Sequence, residues 1–149
     1  LAKMMRLLGF DTDYKENRDD NLLAEISEKE NRILLTCDRQ LLMSKIVSRG
    51  IIIRSRNPDE QIIEVIERLQ LQPLISSFTR CIECNGLLTD LITDSPEFES
   101  LKNKIPGGVL EWCAEYYNCL SCGRIYWRGS HYDKLKERVE RIKNRLRSG

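Results

Sequence analysis

The sequence predicts an α/β domain with a parallel sheet, followed by a small β-rich zinc ribbon and a C-terminal helix. Three observations carry this. Helix-like and strand-like patterns alternate up to about residue 78. Four of the six cysteines stand in two CxxC pairs. Leu135, Val139, Ile142 and Leu146 then recur at helical spacing within a basic tail.

Taken in order, Leu1, Met4, Met5 and Leu8 form one apolar stripe, with Lys3 and Arg6 on the other side, and Gly9 is placed to end that helix. Phe10 to Tyr14 reads as a short strand. Asp19-Asp20 opens a helix carrying Leu22, Leu23 and Ile26. Ile33-Leu34-Leu35-Thr36 is a continuous apolar run between charges, as expected of a strand covered on both faces. Arg39 to Arg49 reads as a helix stopped by Gly50, and Ile51-Ile52-Ile53 as the next buried strand. Asn57-Pro58-Asp59-Glu60 is a strong helix start, with an N-cap Asn, Pro in the first turn and acids near the positive end of the helix dipole. Ile62, Ile63, Ile66 and Leu69 supply its buried face. Alternation of this kind with two-sided apolar strands means a parallel sheet. The expected organisation is an α/β domain over residues 1–78, a ribbon with an inserted segment over 79–130, and a basic amphipathic helix over 131–149.

At 149 residues the chain can bury roughly two-thirds of its unfolded surface. Its 24 basic and 23 acidic residues nearly cancel, for a formal net charge of +1. This excludes a histone-like chain that binds nucleic acid by global charge, and a disordered acidic tail. No apolar run approaches the ~20 residues of a membrane span, so no membrane partner is expected. The chain starts at Leu1 and runs straight into helical pattern, which reads as a fragment, a processed form or an edited sequence.

Cys81-Ile82-Glu83-Cys84 and Cys119-Leu120-Ser121-Cys122 are separated by 34 residues. Two CxxC pairs are the usual way to gather four thiolates round a tetrahedral Zn²⁺, and disulfide scaffolds rarely use this spacing. The alternatives are redox pairs or disulfides, but neither pair sits at a helix start that would activate a thiol. Thiolate zinc points to the cytoplasm. Four thiolates and one Zn²⁺ would change the formal charge from +1 to −1, so nucleic-acid contact would need a local patch. The last helix offers one: seven bases against three acids from residue 131 onward. That face is either solvated surface or a contact for RNA phosphate or a partner helix.

Asp38 directly follows the buried strand, and ligands of open parallel sheets bind beyond strand carboxyl ends. Asp20 begins the helix that feeds this strand. Two carboxylates on one sheet edge can hold Mg²⁺ or Mn²⁺ with water positions left open, and such an ion can activate water against a phosphodiester. Equally, both aspartates can be helix caps, and the two roles can coexist.

Leu1-Ala2-Lys3-Met4-Met5-Arg6-Leu7-Leu8-Gly9-Phe10-Asp11-Thr12, Asn31-Arg32-Ile33-Leu34-Leu35-Thr36-Cys37-Asp38-Arg39, Cys81 to Gly86 and Cys119 to His131 together resemble the Mut-seven C-terminal ribonuclease-domain family, a branch of the PIN-like nucleases. The resemblance covers nearly the whole chain. It implies a PIN-like parallel sheet with flanking helices, metal-dependent cleavage of RNA, and a four-cysteine ribbon. By it, Asp20 and Asp38 match two acidic positions of the metal site, catalytic and bound to Mg²⁺ or Mn²⁺. Two departures stand out. The family's leading strand, with its metal-binding Asp, would precede Leu1; its absence means an upstream trim, a strand from another chain, or an inactive form. Cys37 replaces the Arg of the family's Thr-Arg-Asp, and Arg39 is the candidate substitute. A further acidic ligand, if used, has Glu28 and Glu30 as candidates, although both read as exposed helix-end residues.

His131 can orient a phosphate or merely start the last helix. Tyr126, Trp127 and Tyr132 beside Arg128 and Lys134 suit stacking on unpaired bases, or equally a ribbon core. Arg6 and Lys3 can face phosphate or solvent. Cys37 and Cys113 read as buried small apolar residues. The expected function is a metal-dependent endoribonuclease with a structural zinc ribbon, its RNA contacts at Arg6, Arg39, Arg128, His131 and Lys134. The alternative is a catalytically silent zinc-ribbon module that binds RNA, a ribosomal particle or a protein.

Overall fold

The computed structural model describes residues 1–148. The chain is mixed α/β, with a small parallel sheet, an antiparallel sheet and flanking helices. It divides into two compact units. One spans Tyr14–Gln70, and the other joins Leu1–Asp13 to the described residues from Leu71 onward.

The Tyr14–Gln70 unit holds α2 (Asp20–Lys29), β1 (Leu34–Thr36), α3 (Arg39–Leu42), β2 (Gly50–Ile52) and α4 (Pro58–Arg68). β1 and β2 pair in parallel, with Leu34 opposite Gly50 and Thr36 opposite Ile52. Ala24, Leu34 and Leu41 form a core cluster, so α2 and α3 both pack on β1. The expected helix start at Asn57 is present: its side chain accepts hydrogen bonds from the N–H groups of Asp59 (2.9 Å) and Glu60 (3.3 Å). Ile62, Ile63, Val65 and Ile66 are the buried face of α4. Burial raises the Glu64 carboxyl, but bonds from the Arg54 and Ser55 N–H groups and from Arg68 outweigh this and hold it low. Arg68 also donates to Ile52 O (2.6 Å), which ties α4 to β2.

Two expectations here are corrected. The helix expected over Arg39–Arg49 stops at Leu42. The Ser44 hydroxyl accepts from the Ile46 N–H (3.4 Å) and the Ser44 carbonyl from Val47 N–H (3.1 Å), local bonds that compete with the helical ladder. Gly50 accordingly opens β2 rather than closing a helix. Cys37, expected to be buried, is exposed. It lies just past the end of β1, where the chain has left the covered part of the strand.

The other unit carries α1 (Ala2–Leu7), the antiparallel sheet β3 (Leu88–Leu91), β4 (Tyr116–Cys119) and β5 (Ile125–Trp127), the short helices α5 (Pro96–Leu101) and α6 (Gly107–Leu110), and the long helix α7 (Ser130–Ser148). The sheet order is β3-β4-β5. The segment inserted between the two CxxC pairs builds a core of its own: Leu91, Phe98 and Ile105 pack with Tyr116 and Ile125. Ser95 caps α5 through the Phe98 N–H (3.1 Å). The α7 stripe holds as expected, with Val139, Ile142 and Leu146 buried. α7 is 19 residues long, yet no helix among the described residues is long and apolar enough to cross a membrane.

Two more corrections concern the start of the chain. Phe10 to Tyr14 forms no strand. Instead the Thr12 N–H donates to Asn85 Oδ1 (3.0 Å) and Asn85 Nδ2 donates to the Asp11 carboxylate (2.6 Å), so the segment is spent on the first cysteine turn. Arg6 is not a surface cation. It is 3% exposed, and it donates to the carbonyls of Thr12 (2.8 Å), Ile82 (3.0 Å) and Glu83 (2.7 Å). A planar guanidinium with several fixed donors suits such a cluster of orphan carbonyls. Lys3, by contrast, makes an exposed ion pair with Glu83 (2.9 Å).

Arg6→Ala should therefore lower stability by about 3 kcal/mol in denaturant unfolding, because three carbonyls lose a charged donor. Lys3→Ala should change it by less than about 1 kcal/mol. Equal effects from the two substitutions would contradict the structural role of Arg6.

Candidate functional site

Each CxxC pair sits in a turn of the same construction. In the first, Cys81 N–H donates to Gly86 O (2.8 Å) and Asn85 N–H to Cys81 O (2.9 Å). In the second, Cys119 N–H donates to Arg124 O (2.9 Å) and Gly123 N–H to Cys119 O (2.9 Å). The residue at the same place in both turns, Asn85 or Gly123, has φ of 73° or 67°. This left-handed conformation suits Asn and Gly, and the Asn-Gly dipeptide of the sequence already marked it. Gly86 is required by close approach: a Cβ there would lie 2.4 Å from Ser121 Oγ and 3.0 Å from Cys119 Sγ.

β3 and β4 bring the two turns together, since Leu88 pairs with Cys119. All four sulfur atoms lie within 4.8 Å of one another. Cys81 and Cys122 are 3.8 Å apart and Cys84 and Cys119 are 3.4 Å apart, and none is oxidised to a disulfide. Zn–S bonds of about 2.3 Å in a tetrahedron put sulfurs about 3.8 Å apart, so the cluster is suited to a metal ion such as Zn²⁺. Backbone N–H groups already point at sulfur: Gly86 N to Cys84 Sγ (3.4 Å) and Cys122 N to Cys119 Sγ (3.5 Å).

Sequence reasoning missed one member of this centre. The Tyr126 hydroxyl lies 3.0 Å from Cys81 Sγ. Burial raises the Cys81 thiol, but the bond from Tyr126 and those from the Cys84 and Glu83 N–H groups outweigh it and bring it down to about 7. Burial and the neighbouring thiols push Cys84 up to about 12 against the bond from Gly86, and burial likewise raises Cys122. The sequence does carry a signal for Tyr126: it stands on the strand that follows the second turn, where alternation can return a side chain to the cysteines.

The two aspartates are placed differently. Asp38 is exposed and caps α3: its Oδ1 accepts from the Gln40 N–H (2.7 Å), and its own N–H donates to Thr36 Oγ1 (3.0 Å). It does stand at the carboxyl end of parallel strand β1. Asp20 is exposed in the first turn of α2, whose cap is Asp19, through Leu22 N–H (2.9 Å). Among the described residues, neither aspartate belongs to a group of three or more His, Cys, Asp or Glu ligand atoms. Glu28 accepts from Ser48 N–H (3.3 Å), and Glu30 pairs with Arg32 (2.6 Å). Arg39 is exposed beside Asp38.

The remaining candidates lie in the ribbon unit. Arg128 pairs with Glu115 (2.8 Å) and stands over the rings of Tyr117 (5.9 Å) and Tyr132 (5.5 Å). His131 and Lys134 are exposed on the first turns of α7. Cys113 is half-buried, packs against the insert core, and donates to Glu115 O (3.4 Å).

Zinc binding to the metal-free protein should release at least about two protons per ion at pH 7, because Cys84 and Cys122 hold theirs in the absence of metal and Cys81 only in part. The sign follows from the raised thiols: protons compete with metal, so affinity should fall as pH falls. Calorimetry in buffers of different ionisation enthalpy measures the number, and a value near zero would refute thiol coordination.

No curated protein and no solved structure shows significant similarity to the chain. One family does. The family model for the Mut7-C RNAse domain matches residues 1–139, which takes in both units, both CxxC turns, Asp20 and Asp38. The chain therefore belongs to the Mut7-C RNAse domain family, a ribonuclease-type assignment that implies RNA as substrate.

Proposed function

We propose that this chain is a metal-dependent endoribonuclease of PIN-like fold whose four-cysteine ribbon holds structural zinc. The observation that carries the reading is the family match over residues 1–139, taken with a carboxylate at the carboxyl end of a parallel strand. Asp38 and Asp20 would bind Mg²⁺ or Mn²⁺ through oxygen, and a metal-bound water would attack the phosphodiester. Arg39, exposed next to Asp38, is available to touch phosphate where Cys37 cannot. Lys134 and the basic face of α7 would hold the RNA backbone at longer range. The ribbon's role would be to fix the RNA-binding surface. Four reduced thiols suit a reducing compartment, which favours the cytoplasm.

A second reading has its own support. Asp38 is already employed as a helix cap, and neither it nor Asp20 belongs to a group of three or more possible ligand residues among the described residues. On that reading the α/β unit is a silent scaffold and the ribbon binds RNA, a ribosomal particle or a protein.

Asp38→Asn separates the two. Asparagine keeps an oxygen to cap α3 but loses the charge that binds metal. Unfolding should stay near wild type, while RNA cleavage in Mn²⁺ should drop by more than about 100-fold, at least the scale of a damaged metal site. Equal cleavage by the two proteins would remove Asp38 from the reaction. RNA binding without turnover by the wild type would favour the scaffold.

A further inference from the structure

The ribbon unit contains a cleft of about 720 Å³, within the size range of ligand pockets. β5, the start of α7 and the chain around Phe78 and Trp112 form its walls. One wall is a continuous stack. The Phe78 and Tyr132 rings are 4.6 Å apart, Arg128 stands over Tyr132, and the same guanidinium faces Tyr117. Glu115 pairs with the same guanidinium (2.8 Å). Both tryptophans of the chain line the cleft, and Trp112 is 59% exposed. Gly129 lies close beneath them: a Cβ there would be 3.1 Å from Trp112 Cη2 and 3.4 Å from Trp127 Cδ1.

Bases outnumber acids in the cleft. Arg80, Arg124 and Arg128 line it together with His131, against one acid, Glu83, which pairs with Lys3 (2.9 Å). Arg80 is spent on the carbonyls of Gly9 and Asn85. The Arg124 and His131 side chains are exposed and make no side-chain hydrogen bond or ion pair among the described residues, while the Arg124 charge helps to hold Glu83 low. Aromatic faces with a guanidinium and an imidazole at their margin suit a flexible, unpaired nucleic-acid strand. Any base has a π-face to stack, and the backbone brings one negative charge per nucleotide. A duplex offers no free base faces, and a purely apolar ligand would leave Arg124 and His131 without use.

We infer that this cleft binds an unpaired segment of RNA, with a base stacked against Trp112 and the adjoining phosphates held by Arg124 and His131. The identity of the polymer rests on the ribonuclease reading; the cleft itself uses neither Asp20 nor Asp38.

The test uses zinc-loaded full chain without added Mg²⁺ or Mn²⁺, and an oligouridylate of about eight nucleotides, the scale of a single-strand site. Tryptophan fluorescence should change saturably, and anisotropy of a labelled strand should give the same dissociation constant. Trp112→Ala, an exposed position, should weaken binding by at least about fivefold. Arg124→Gln should weaken it and flatten the dependence of log K on log salt by about 0.7. No saturable signal, preference for the duplex, or unchanged binding in both cleft variants would each overturn the proposal. Failure of the ribonuclease reading looks different: the cleft variants would bind weakly while Asp38→Asn and wild type cleaved alike.

Discussion

Four thiol sulfurs within 4.8 Å of one another are a constraint that little else in the chain can escape. As thiolates they repel, and Cys81 and Cys119 are buried while Cys84 and Cys122 are exposed. The thiols divide in the way electrostatics requires. Burial and neighbouring thiols push Cys84 up to about 12, while one site, Cys81, is drawn down to about 7 by the bonds from Tyr126 and two backbone N–H groups that outweigh its own burial. A divalent ion of thiolate preference resolves the conflict, and the geometry fits the tetrahedron of zinc. The repeated turn construction, the required Gly86 and the antiparallel pairing of β3 with β4 all serve this one convergence.

The constraint extends beyond the ribbon. Tyr126 turns its hydroxyl to Cys81, and its neighbours on β5 and the start of α7 carry the aromatic cleft. Arg6 closes the carbonyls of Ile82 and Glu83 in the first turn, and Asn85 receives the segment after α1. A metal centre usually depends on such outer partners for the orientation of its ligands. Here they tie the first residues of the chain to a turn far downstream.

The α/β unit is built on a different principle. Its two short parallel strands are organised by helix caps and by apolar faces. Asp38 is placed by the same cap that makes it useful at a strand end. A carboxylate that accepts one backbone N–H still has an uncommitted oxygen, so capping and ion binding use different lone pairs of one group. This is why capping alone does not decide its chemistry.

Much was legible from residue order. The CxxC spacing, the Asn57-Pro58 helix start, the two apolar strand runs and the α7 stripe each depend on neighbours within a few positions, where spacing fixes geometry. The sequence by itself thus determined the element types, the cysteine cluster and the ribonuclease family. It failed where a distant partner decides. Arg6 looks like a surface cation on a helix and is buried, because it donates to the carbonyls of Ile82 and Glu83 in a turn some eighty residues later as well as to Thr12 O. Phe10 to Tyr14 reads as a strand and forms none, as Asp11 and Thr12 bond the Asn85 side chain instead. The helix after Arg39 ends early because serine side-chain and backbone bonds win over propensity. Tyr126 beside Cys81, and the stack of Phe78, Tyr132, Arg128 and Tyr117, needed tertiary structure, since only packing brings residues from separate strands, loops and helices within hydrogen-bond or ring-contact distance.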